Sequence, residues 1–106
     1  MPKYLLQASY MAEGAKGLIK DGGSKRRAAA QTLVESLGGK IDCFYFAFGK
    51  TDVFSIVDFP DGASAAAASL AISASGAVAA RVTVLLTPEE IDQASKKSAR
   101  YTPPGR

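Results

Sequence analysis

With the side chains that usually carry chemistry missing, Arg81, Asp52, Gln7 and Ser9 are the first candidates for it. There is no His, and Cys43 is the one cysteine. These counts exclude a Ser-His-Asp triad, a His metal site and a His-ligated haem. One thiol can form neither an internal disulfide nor a four-cysteine zinc site. Arg81, with Thr83 on the same strand parity, can receive a carboxylate or oxyanion through its planar fork of donors. It can equally pair with Asp42 or Asp58. Asp52 lies in a hairpin connection, either as a turn former accepting backbone N–H groups or as an acid-base group at the mouth of a cavity. Gln7 and Ser9 fall near the end of the first strand. Beside the aromatic walls of Phe44 and Phe46 they would be the few polar orienting groups of a small-molecule site, or simply part of a half-exposed strand.

A second cluster is electrostatic. Ser24, Lys25, Arg26 and Arg27 open a helix, where three cations oppose the helix dipole. An oxyanion at Ser24, Arg26 and Arg27 would relieve this; so would solvent, or an Arg paired with Glu35. The glycine spacing of a P-loop is absent. Cys43 has no cationic neighbour in sequence and reads as a buried, inert thiol. Asp58 and Asp61 are close in sequence, but Phe59-Pro60 turns the chain between them, so no metal and no cofactor is expected.

The 106 residues are 47% hydrophobic and 22% charged, an ordinary globular composition and enough chain for one domain, 1–106, with 98–106 as an extended tail. The net charge of +3 is unevenly spread. Residues 16–27 carry five cations and one anion, and residues 93–106 carry four cations and no anion. Such clusters can attract nucleic acid, but without interleaved aromatics that reading ranks lowest. No signal peptide and no membrane span is read, and the lone Cys fits a reducing compartment, so the expected location is the cytoplasm.

These side chains must be positioned by local structure. Residues 3–10 alternate as a half-buried strand, with Tyr4, Leu6, Ala8 and Tyr10 on one parity. Residues 12–20 suit a short helix that Gly22-Gly23 breaks. Ser24 is the expected cap of the next helix, whose stripe is Ala30, Leu33, Val34 and Leu37. Gly38-Gly39 ends it. Lys40–Phe48 and Val53–Phe59 read as a hairpin. An Ala-rich helix over about 64–75 follows; Leu70 and Ile72 are its only large apolar residues. A strand over Val78–Leu86 comes next. Thr87-Pro88-Glu89-Glu90 is a capping box that starts a helix running to about Lys97.

The order β-α-β-β-α-β plus a terminal helix predicts an α+β, ferredoxin-like fold, with both crossover helices on one face of a four-stranded sheet. By strand alternation the uncovered face takes Leu5, Phe44, Phe46, Phe48, Phe54, Ile56 and Leu85, with Gln7, Ser9, Asp42, Asp58, Arg81 and Thr83 among them. Tyr10 and Tyr45 fall on the helix side. A one-residue slip would reverse any strand. So apolar a face predicts burial against a second copy, giving a homodimer or a larger homo-oligomer.

Tyr4 and its strand, Glu13-Gly14, the Arg-bearing helix start, Leu37-Gly38-Gly39-Lys40, Phe48-Gly49 with Asp52, Phe59-Pro60-Asp61, Ser75-Gly76 and Thr87-Pro88-Glu89-Glu90 together resemble the GYD-domain family over nearly the whole chain. Thr51 stands where the family's signature tyrosine is found. The resemblance implies a small bacterial protein of the dimeric α+β barrel group, whose sheet faces pair. That wider group includes cofactor-free monooxygenases, haem-dependent enzymes, isomerases and small-ligand sensors. The expectation is therefore a homo-oligomeric small-molecule-binding barrel. The alternatives are a cofactor-independent oxygenase- or isomerase-like enzyme and a purely structural assembly unit.

Overall fold

The computed structural model describes residues 1–47 and 49–106. Its elements are β1 (Lys3–Tyr10), α1 (Ala12–Asp21), α2 (Gly23–Ser36), β2 (Lys40–Phe46), β3 (Val53–Asp58), α3 (Gly62–Ala74), β4 (Val78–Leu85) and α4 (Pro88–Ser95). The four strands form an antiparallel sheet in the order β2-β3-β1-β4, the ferredoxin-like arrangement. The expected Phe48 end of β2 and its place on the open face lie outside the described residues.

The helices cover one face. α2 packs on β2 and α3 on β4, while α1 packs on α2 and β1. Between them and the sheet sits the core of Tyr4, Val34, Val57, Phe59, Ala65 and Ala68. Phe59 is fully buried and meets Tyr4 edge-on, with centroids 5.9 Å apart. That geometry contributes about 1 kcal/mol beyond burial alone. α2 ends on Gly38, whose φ of +78° only glycine adopts freely. At Gly39 a Cβ would lie 2.4 Å from the Asp58 carbonyl oxygen, so the absence of a side chain lets the α2–β2 turn reach β3.

Three local expectations need correction. Ser24 does not cap α2. The N-cap is Gly22, which turns the chain at φ +82°, and Ser24 stands exposed inside the first turn. α3 begins at Gly62 because Asp61 caps it, accepting the Ser64 N–H at 2.8 Å. The third correction concerns β2. Its register against β3 shifts between Ile41 and Cys43, leaving Asp42 without a strand partner. One extra residue in a strand inverts every side chain beyond it. Phe44 and Phe46 pair with Ser55 and Val53 and therefore face the helices, where their rings meet edge-on at 5.3 Å. Cys43 and Tyr45 take the open face opposite Ile56 and Phe54. Both the open-face position of the two phenylalanines and the helix-side position of Tyr45 are overturned.

Candidate functional site

The sequence-derived residues fall on two faces, Phe44 and Phe46 being moved by the bulge. Gln7, Ser9, Arg81 and Thr83 stay on the open sheet face, as expected. Gln7 lies opposite Arg81 in the β1–β4 ladder, and Leu5 opposite Thr83. Phe44, Phe46, Asp52 and Arg26 line clefts on the helix side.

On the open face, Arg81 does not pair with Asp42 or Asp58. Its Nη2 donates to Thr51 Oγ1 at 3.1 Å. Lys3 takes both carboxylates instead, donating to Asp42 and to Asp58 Oδ1, the latter at 2.9 Å. Asp42 and then Asp58 hold the Lys3 ammonium above its ordinary pKa, and the Lys3 contact lowers that of Asp42. Ser9 Oγ donates to the Lys50 carbonyl at 3.0 Å. Arg81 and Ser9 thus tether the hairpin connection to the sheet. Around them Leu5 and Ile56 are half-buried, while Phe54 (39% exposed) and Tyr45 (68%) are open to solvent.

On the helix side, three clefts meet at Tyr10. The innermost, about 120 Å³, runs between α2, α3 and the sheet and is walled by Leu6, Leu33, Phe44, Val53 and Ile72, with Arg26 as its charged residue. A second, about 590 Å³, opens between α1 and the β2 end, with Phe46 and Asp52 in its wall. The ring of Phe46 lies 3.0 Å from where a Cβ on Gly23 would stand, so that glycine leaves room for the ring. A third, about 250 Å³, lies against α1 and carries Glu13 and Arg26.

Asp52 acts as a backbone acceptor here. Its Oδ2 takes the Tyr10 N–H at 2.8 Å, and its own N–H donates to the Ala8 carbonyl at 2.8 Å. The hairpin connection is thereby fastened to the end of β1 and helps wall the second cleft.

The two arginines of α2 diverge. Arg27 donates to Gln31 Oε1 at 3.3 Å, and Gln31 in turn donates to Glu35 at 2.8 Å, an outward chain along the helix. Arg26 is half-buried and makes no ion pair among the described residues. Glu13, which shares a cleft with Arg26, is 3.6 Å from Lys16 instead. No side chain caps α2, so the N–H groups of its first turn find no side-chain acceptor there. Sequence alone could not single out Arg26 from Arg27, because their distinction depends on which side of α2 meets the sheet. Among the described residues no three metal-ligating side chains come together, and no helix is long and apolar enough to cross a membrane.

A family model described as the GYD domain matches residues 4–95. No curated protein and no solved structure matches the chain.

Proposed function

The chain belongs to the GYD-domain family, and from that premise we propose that it is a homo-oligomeric binding protein for a small, largely apolar anion of the carboxylate class. The ligand is taken up on the helix side around Tyr10. The observation that carries this reading is Arg26, a guanidinium without an ion-pair partner among the described residues, in the wall of an otherwise apolar cleft. An Arg fork pairs with a carboxylate through two parallel, charge-assisted hydrogen bonds. Leu33, Phe44, Val53 and Ile72 would bury the apolar part, while Tyr10 and Asp52 bound the wider opening. Apolar walls with a few polar groups are the usual composition of a small-molecule site, and the Arg26 cleft of about 120 Å³ adjoins, at Tyr10, a wider cleft of about 590 Å³ that Arg26 does not line.

Two copies cover each other's open sheet face. Leu5, Tyr45, Phe54, Ile56 and Leu85 support this pairing, since among the described residues no helix packs over them. Calorimetric titration with benzoate and with benzamide tests the ligand class. Benzoate should bind, and both the neutral amide and the Arg26→Ala variant should lose about tenfold or more, the scale of a charged hydrogen bond. Equal binding of the two compounds, or full affinity in Arg26→Ala, would refute the anion reading.

A further inference from the structure

We infer that the C-terminal arm, residues 86–106, docks on a second copy of this chain, in the groove between α3 and β4. The inference goes beyond the ligand reading and does not rest on it. Every residue from Leu86 to Thr102 is exposed, and α4 buries nothing. The radius of gyration is 16.8 Å, against about 13 Å for a compact chain of this length. The chain as a whole is therefore elongated rather than compact.

An eight-residue helix is too short to hold its shape alone in water. Yet α4 is carefully started. Thr87 Oγ1 accepts the Glu90 N–H at 3.1 Å, Glu90 accepts the Thr87 N–H at 3.0 Å, and Pro88 occupies the first turn. Leu86 and Ile91 occupy the two positions of a hydrophobic staple. The arm thus carries a preformed apolar end, with Ile91 52% and Tyr101 75% exposed.

The acceptor lies on the same chain. A groove of about 450 Å³ runs between α3 and β4, floored by Tyr4, Ala65 and Val82. Its rims are Leu70 and Val84, 71% and 59% exposed. α3 has no charged residue along its 13 positions, which is unusual for a helix facing water. Donor and acceptor are joined by one residue, Leu85, and the capping box with Pro88 fixes the direction in which the arm leaves. Leu86 to Thr102 are exposed throughout, so the arm does not fill its own groove. Two copies related by a twofold axis satisfy both needs at once, since each gives an arm and receives one.

The test is a disulfide between the two surfaces in the full chain, with Cys43→Ser throughout. Leu70→Cys and Ile91→Cys are made in separate chains, mixed and oxidised. A linked dimer well above the amount either chain yields alone is expected. A chain carrying both changes that closes on itself as a monomer would overturn the inference in favour of its own groove. No link in the mixture would overturn it in favour of another occupant. Independently, Leu70→Glu and Ile91→Glu, both at exposed positions, should each lose the same association step in native mass spectrometry. Unchanged assembly in both would also overturn the inference. Because the link joins α3 to α4, it is read separately from pairing of the open sheet faces.

Discussion

Two arginines of similar standing in the sequence have different work in the fold. Arg26 faces a cleft, whereas Arg81 fastens the hairpin connection through Thr51. Arg81→Ala should therefore lower the melting temperature while leaving benzoate affinity within about twofold. Arg26→Ala should do the reverse. Scanning fluorimetry and calorimetry on the same two proteins separate the cases, and a loss of binding in Arg81→Ala alone would move the site to the open face. Asp61 gives a pH prediction. The Ser64 N–H, then the Ser64 hydroxyl, holds its pKa below the ordinary aspartate value. A carboxylate lowered in the folded state contributes stability that is fully present above its unfolded pKa and is lost as pH falls through the folded value. The melting temperature of the parent should exceed that of Asp61→Ala by a few degrees at neutral pH. The gap should narrow only below the ordinary aspartate range.

At the scale of elements, the bulge at Asp42 decides which face receives the aromatics. The alternation of β1, β3 and β4 was readable because each keeps an unbroken period of two. That of β2 was not, since nothing in Lys40-Ile41-Asp42-Cys43 marks an extra residue without its partner strand. Deleting Asp42 should leave Ile41 and Cys43 as ordinary neighbours in the ladder, with Phe44 still opposite Ser55. Near-UV circular dichroism and benzoate binding should both persist. Their joint loss would show that the strand had inverted. Gly39 is the converse case, where one added methyl has nowhere to go. Gly39→Ala drives a Cβ against the Asp58 carbonyl and the Phe59 ring, and should cost about 1–3 kcal/mol in urea unfolding.

At the scale of the whole molecule, the sheet face and the α3–β4 groove lie open among the described residues, and the C-terminal arm with Leu86, Ile91 and Tyr101 is exposed beside them. Monomeric proteins seldom expose contiguous apolar area on this scale. Phe54→Asp introduces a charge at the centre of the sheet face, opposite Tyr45 and Gln7. Native mass spectrometry should show it reduced by one association step relative to the parent, with the helix-side cleft intact by benzoate titration. An unchanged mass would mean that the sheet face is covered by something other than its own copy.

The sequence by itself determined the elements and their order. Periodicity, glycine stops, the Thr87–Glu90 box and the hairpin are all encoded within a few residues of where they act. From the order followed the antiparallel ferredoxin-like sheet, with helices on one side. Tertiary structure alone decided three matters. It put Phe44 and Phe46 on the helix side of the sheet, it turned Arg26 toward a cleft and Arg27 away, and it gave the Asp42 and Asp58 carboxylates to Lys3 rather than to Arg81. Each of these depends on the register or packing of segments distant in the chain. A shift of one residue in such a pairing changes the face of a side chain without changing any local signal that precedes it.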